Sequence, residues 1–384
     1  MPWENKTVEQ QREEFARKAQ ETTNFSALCR EYDITRRTGY KWLERAKQGE
    51  PLADRSHVPH RTPGKTPPEI ESRVLAVREA HPAWGGKKIR KVLENQGVGG
   101  LPCVKTCNNI LKRNGCISEE VSRRNKPIQR FERERCNELW QTDFKGDFAL
   151  SGGGRCFPLT ILDDHSRFLL AVESKPGIGG VVESFREVFK QFGLPASVLS
   201  DNGPTFRGFQ GGFAQFERWL MEHDVLPIHG RIRHPQTQGK VERLHGTMEA
   251  ELLADKDFSD LQEAQAAFDP WRWDYNFIRP HEAIDMRCPG EVYVKSERLF
   301  FDDVTPFEYS GEHRVVKINN WGYVRFAAFQ VFLSETLANQ FVEFREFVNP
   351  LGDSPSWIAC FRNFRIAQFD TQTGKLLNRS IRRL

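Results

Sequence analysis

The sequence predicts a multidomain fold: all-α at the N-terminus, mixed α/β in the middle, and a small all-β barrel at the C-terminus. Three observations lead there. Apolar residues recur at helical spacing through residues 7–115. From Leu139 to Asp224 strand-like runs alternate with amphipathic helices, and past residue 299 only short β-rich runs remain. At 384 residues the chain is too long for one compact domain, and a hydrophobic fraction of 38% supports packed cores.

The net charge of +4 hides an asymmetry. Residues 1–130 carry 26 Lys and Arg against 16 Asp and Glu, while residues 131–384 carry 30 against 36. A net +10 at one end suits a polyanion, DNA or RNA, although a basic face can also serve solubility alone. No run of 18 apolar residues occurs, so no membrane partner is expected. The opening "MPWENKTVEQQREEF" lacks the basic-then-apolar layout of a secretory signal. Eight scattered cysteines are too dilute for a disulfide framework, and the expectation is a cytoplasmic protein with reduced thiols.

Residues 1–53 read as a helix-turn-helix unit. Phe25, Leu28, Cys29 and Tyr32 share one helix face, "YDIT" breaks it, and Thr35 is placed to cap the next helix. That second helix is expected to bury Tyr40 and Leu43 and to expose Arg36, Arg37, Lys41 and Arg45 to DNA. A plain helical hairpin with a solvated basic face is the alternative. Residues 54–69, rich in Pro, Gly and basic side chains, read as a linker. Residues 70–121 form a second such unit, with Lys105, Lys112 and Arg113 as phosphate contacts and Gly115 closing the last helix. Cys103, Cys107 and Cys116 have no His among them and fit no common zinc spacing, so they read as buried structural thiols. Residues 122–135 are a charged connector.

In the middle region "LWQTDFKGDFAL" and "RCFPLTILDDHSRFLLAVE" read as strands joined by the glycine-rich "SGGGR". "VVESFREVFKQFG" is an amphipathic helix burying Val181, Phe185, Val188, Phe189 and Phe192. "ASVLS" is a strand, "FAQFERWLMEHD" a helix, and Val241, Leu244, Met248 and Leu252 mark another helix. Asp163 and Asp164 read as a capped hairpin turn with a metal-ligand role as the lesser alternative. Tyr275, Asn276, Arg279 and His281 read as a packing clasp, and Trp271 and Trp273 as core. From residue 299 to 384, "HRVVKINNWGYVRFAAFQVFL", with a turn at Asn320–Gly322, and then "FVEFREFV", "SWIACF" and "FRIAQFD" suggest the barrel.

Three acids stand out by position. Asp143 lies inside a strand among Leu139, Trp140 and Phe144. Asp201 follows the strand "ASVLS" in "SDNGPTF", a turn in which Asn and Gly tolerate positive φ. Glu242 is in the first turn of its helix. Carboxylates from separate elements can converge on two Mg²⁺ ions, which relieve their mutual repulsion and suit an in-line phosphoryl displacement. As bare acids, 58 and 41 residues apart, they carry little; their contexts carry the specificity.

Those contexts, "LWQTDFKG", "LTILDDHSR", "SDNGPTF", "HPQTQGKVERLHGTM" and "YNFIRPHEAI" in this order, resemble the integrase core of bacterial insertion-sequence transposases. Those enzymes are DDE-class relatives of retroviral integrases. The resemblance implies a ribonuclease-H-like core over 136–295 with a mixed five-stranded sheet, and an SH3-like form for the barrel at 299–384. It implies Asp143, Asp201 and Glu242 as the catalytic, metal-binding triad, with two Mg²⁺ (or Mn²⁺). It also implies cleavage of a mobile element's ends and transfer of the freed 3′-hydroxyls into target DNA. His234, Gln236, Lys240 and Arg243 then become further DNA contacts, with double-stranded DNA as the partner and at least a dimer on it. No small-molecule substrate follows, and the expected place is the bacterial nucleoid. Two departures stand out: "RGFQGGFAQF" lengthens the interval before Glu242, and Gly246 and Glu249 stand where relatives carry basic residues. Two other readings remain at this stage, a DNA-binding regulator without catalysis and a ribonuclease-H-type nuclease without strand transfer.

Overall fold

The computed structural model describes residues 6–55, 64–117, 132–208, 212–230, 239–254, 256–347 and 355–384. The chain divides into two units, Met1–Lys65 and Thr66–Leu384.

The first unit has three helices, α1 (Val8–Glu21), α2 (Phe25–Glu31) and α3 (Arg36–Lys47), around Phe15, Leu28, Cys29, Trp42 and Leu43. Each start is capped by a polar side chain: Thr7, Asn24 and the expected Thr35 accept from backbone N–H groups of the first turn. A methyl group at Gly39 would meet Cys29 Sγ at 2.7 Å, so the glycine sets how closely α3 crosses α2. Two expectations for α3 are corrected. Tyr40 is 49% exposed and stacks on Phe25, while Trp42 takes the core position. Arg45 is 9% exposed because its guanidinium turns back on the C-terminal loop, donating to the carbonyls of Pro51 and Ala53 and pairing with Glu50.

The second unit begins with α4 (Pro68–Ala80), α5 (Gly86–Asn95) and α6 (Val104–Arg113), closed over Val74, Trp84, Ile89, Cys107, Ile110 and Leu111. Gly115 follows α6 in the left-handed region, as its position predicts.

The central sheet comprises β1 (Trp140–Phe144), β2 (Phe148–Ala149), β3 (Arg155–Asp163), β4 (Leu169–Lys175), β5 (Ser197–Ser200) and β6 (Leu226–His229). Its long strands run in the order β4-β3-β1-β5-β6; β1, β3 and β4 are antiparallel, and β1, β5 and β6 parallel. The sheet is mixed as expected, with one strand more than the five expected. The extra strand is the two-residue β2, which the "SGGGR" turn folds onto the start of β3, with Gly153 and Gly154 at positive φ.

Helices cover both faces. On one side α7 (Val181–Phe192) and α8 (Gln215–Glu222) bury Phe185, Phe189, Phe216 and Leu220 against Trp140, Leu159, Ile161 and Val198. On the other, α9 (Gly239–Met248) and α10 (Leu261–Trp273) bury Val241, Leu244, Met248 and Phe268 against Leu162, Leu169 and Val172. The chain from Tyr275 to His281 forms the expected clasp. Asn276 bonds both the N–H and the C=O of Leu169, acting as a strand partner beside the irregular β3–β4 pairing. Trp271 is buried, but Trp273 is 61% exposed, since it points outward from the last turn of α10.

The C-terminal region is all β. β7 (Arg314–Lys317), β10 (Phe341–Phe347), β11 (Ser356–Phe361), β12 (Phe364–Asp370), β13 (Leu376–Asn378) and β14 (Arg382–Arg383) make one sheet, and the hairpin of β8 (Tyr323–Phe326) and β9 (Phe329–Phe332) makes another. One core joins them, and it includes Phe213 and Met221 from the central region.

Candidate active site

β1 presents alternate faces to the two helical layers. Trp140 and Phe144 pack toward α7, which leaves Gln141 and Asp143 facing the α9 side. The antiparallel register pairs Asp143 with Thr160 of β3. The Thr160 hydroxyl bonds the Asp143 carbonyl at 3.1 Å and His245 Nε2 at 2.9 Å, so one side chain ties β1 to α9. Burial holds His245 down at about 4, neutral and fit for that bond.

Asp201 follows β5. The parallel register sets Gln141 beside Leu199, so two residues further along each chain Asp143 and Asp201 come level. Asp201 Oδ1 accepts from the Gly203 N–H at 2.9 Å, an Asx turn. Neither Asn202 nor Gly203 has positive φ, contrary to expectation. The glycine gives clearance instead: a methyl group there would lie 3.0 Å from Asp201 Oδ1, and the carboxylate would have to shift by a few tenths of an ångström. Glu242 is exposed in the first turn of α9, at the N-terminal end of the helix.

The electrostatics connect the three. The Asp143 carboxyl is pushed up to about 7, first by burial, then by the Asp201 charge, and in smaller part by Glu242. A half-buried acid facing two like charges is a site that a cation would relieve. The donors are all carboxylate oxygens, the set hard divalent ions prefer. Among the described residues no three His, Cys, Asp or Glu side chains already stand in ligand geometry.

Other acids are committed elsewhere. Asp163 caps its own turn through Ser166 and Asn137. Asp164 is fully buried and accepts from Gln141 Nε2, the Arg133 N–H and Lys240 Nζ. Lys240, expected to face DNA, is therefore an internal pin 2.5 Å from Asp164; burial and the nearby Arg167 hold its ammonium below the usual lysine value. Arg243 is exposed beside Glu242. His234 and Gln236 lie outside the described residues.

Of the basic residues in the helical modules, Arg36, Arg37, Lys41 and Lys105 are exposed, as is Lys112 on α6. Arg113 is exposed but pairs with Glu71 of α4. Arg45 is not available, for the reason given above. Of the three cysteines expected to be buried only Cys107 is; Cys116 is half-buried, and Cys103 is exposed because it stands at the start of α6 rather than on its core face.

Sequence reasoning missed Thr160 and His245, which brace Asp143. No local motif marks them, because each acts across strands or helices far apart in the chain.

Comparison with known proteins agrees with this organisation. Two family models described as Integrase core domain match residues 133–235 and 223–289, and one described as Homeodomain-like domain matches residues 38–111. The chain is 27% identical over 241 residues to the insertion element IS407 31.7 kDa protein of Burkholderia multivorans, covering 59% of this chain and 83% of that one. It is 28% identical over 173 residues to the insertion element IS476 39.2 kDa protein of Xanthomonas euvesicatoria, covering 44% and 48%. Among solved structures, the HTLV-2 integrase catalytic core domain in complex with magnesium aligns with TM-score 0.32 and 18% identity, over 41% of this chain and 97% of that one.

Proposed function

We propose that this chain, which belongs to the insertion-sequence transposases of the DDE class with an integrase-like core, cuts the ends of a mobile element and joins them to target DNA. Asp143, Asp201 and Glu242 are its catalytic acids. The observation that carries the reading is that the half-buried Asp143 on β1 feels the charges of both Asp201, just past the end of the adjacent parallel β5, and Glu242, whose helix packs on the same face.

The three carboxylates would hold two Mg²⁺ or Mn²⁺ ions. The chemistry such ions would supply is activation of a water or a 3′-hydroxyl and stabilisation of the leaving oxygen in an in-line displacement. The protein's own part is placement. Asp143 is fixed by its strand and by Thr160, Asp201 by its Asx turn, and Glu242 by the α9 core contacts and the Lys240–Asp164 pin. Glu242 and Arg243 stay exposed, leaving the site open to a duplex.

Recognition of the element ends falls to residues 1–53 and 70–121, with Arg36, Arg37 and Lys41 on α3 and Lys105, Lys112 and Arg113 on α6 as phosphate and base contacts. Residues 136–295 form the ribonuclease-H-like catalytic core. The region 299–384 is read as an SH3-like barrel that joins in assembly on DNA, where two ends require at least a dimer. The place of action is the bacterial nucleoid. An end-joining assay with Mg²⁺ and the element's own ends tests the reading: wild type joins them, and Asp201→Asn abolishes joining while still binding ends.

A further inference from the structure

His229, the last residue of β6, faces the chain segment that carries Asp201. The β5–β6 register sets it beside Ser200. Its Nδ1 lies 3.2 Å from the Ser200 hydroxyl and 3.3 Å from the Asp201 carbonyl, and its Nε2 lies 2.8 Å from Glu217 Oε1. Glu217 is only 3% exposed, and its other oxygen accepts from the backbone N–H groups of Gly208 and Ala214, at 2.9 and 2.7 Å. Two further bonds tie the same turn to β6, from Gly230 N–H to the Ser200 carbonyl and from Asn202 Nδ2 to the Gly230 carbonyl.

A link meant only to hold α8 against β6 would need one nitrogen of the ring. Here the second nitrogen is aimed at the end of β5, where the turn begins. The carboxylate that orients the ring also accepts from the backbone N–H groups of Gly208 and Ala214, so both are linked through Glu217 and His229 to the end of β5.

We propose that Glu217 and His229 are positioning residues that hold the Asp201 carboxylate in place for a divalent cation, acting through the Ser200 hydroxyl at the end of β5. This rests on the reading of Asp201 as a metal ligand. Groups that orient a ligand from behind tune metal affinity strongly, and their loss weakens it by about 10- to 100-fold.

The test is Mn²⁺ binding to the full chain, followed by the signal of free Mn²⁺, alongside the Mg²⁺ dependence of end joining. In His229→Ala both the Mn²⁺ Kd and the half-saturating Mg²⁺ concentration should rise by about tenfold. Half-saturation by DNA ends should stay near wild type, the melting temperature should fall because the buried Glu217 loses a partner, and His229→Gln should recover part of both losses. Unchanged Mn²⁺ affinity in folded His229→Ala overturns the proposal. Should His229→Ala fail to fold, Ser200→Ala, which removes only the hydroxyl, is measured in its place, and unchanged Mn²⁺ affinity there overturns the proposal equally. Asp201→Asn separates the two readings. If it binds Mn²⁺ and joins ends like wild type, the site assignment itself fails; if it loses both while His229→Ala loses neither, only the positioning role fails.

Discussion

A methyl group added at Gly203 would lie 3.0 Å from one carboxylate oxygen of Asp201 and 3.2 Å from the other. Gly203→Ala should therefore displace the carboxylate without strain in the backbone. Joining should fall by roughly tenfold, with the melting temperature and end binding unchanged, since small misplacements at a reacting centre are costly. His245 makes a second prediction at this scale. Its folded pKa, about 4, lies below the ordinary histidine value, so the unfolded chain binds the extra proton first. Stability present near pH 7 should be lost as pH falls from about 6.5 toward 4, by about 3 kcal/mol in all and about 2 kcal/mol of it by pH 5. His281, held down to about 3, adds a loss of the same sign. Melting curves from pH 7 to 5 check this, and His245→Gln should flatten the slope. Single positions were unevenly legible in the sequence. Asp201 could be read as an acid after a strand, but the reason for Gly203 could not, because it is a clearance between two side groups rather than a φ preference. Arg45 and Tyr40 misled because helical spacing gives the buried face but not the path of the loop that follows, and that loop captures Arg45.

Among elements, α7 was legible almost residue by residue: the five apolar positions at helical spacing are all buried, and Gly193 ends the helix at positive φ. α9 was equally clear in its core face, yet its polar side was misread at Lys240. The charge on Lys240 is spent on Asp164, 76 residues earlier, and such long-range pairing leaves no periodic trace. Lys240→Met should leave a buried carboxylate without its counter-ion and cost about 3 kcal/mol in denaturant unfolding. The double change with Asp164→Asn should recover much of that, as expected for two groups in one contact. The opposite behaviour is expected on α3. Arg36→Ala and Arg37→Ala should leave stability within about 0.5 kcal/mol, whereas Arg45→Ala should lower it by about 1–3 kcal/mol. Each of the exposed pair should weaken end binding and reduce its salt slope by about one.

For the whole molecule, the order of the three kinds of region was readable from composition and period, because each kind of element repeats its own pattern over tens of residues. The packing of the C-terminal sheet was not. Phe213 N–H donates to Ser334, Thr336 to the Phe213 carbonyl, and Arg218 to the Thr336 carbonyl, so the C-terminal region is bonded onto the segment before α8. The two units have separate cores, and removal of residues 1–65 should leave residues 66–384 able to unfold cooperatively while losing specific end binding. The most direct test of the central claim is joining of the element's own ends to target DNA in Mg²⁺ by wild type and by Asp143→Asn, Asp201→Asn and Glu242→Gln. The account predicts joined product from wild type alone, with all four proteins binding ends equally. Joining by any of the three variants at the wild-type rate would contradict it.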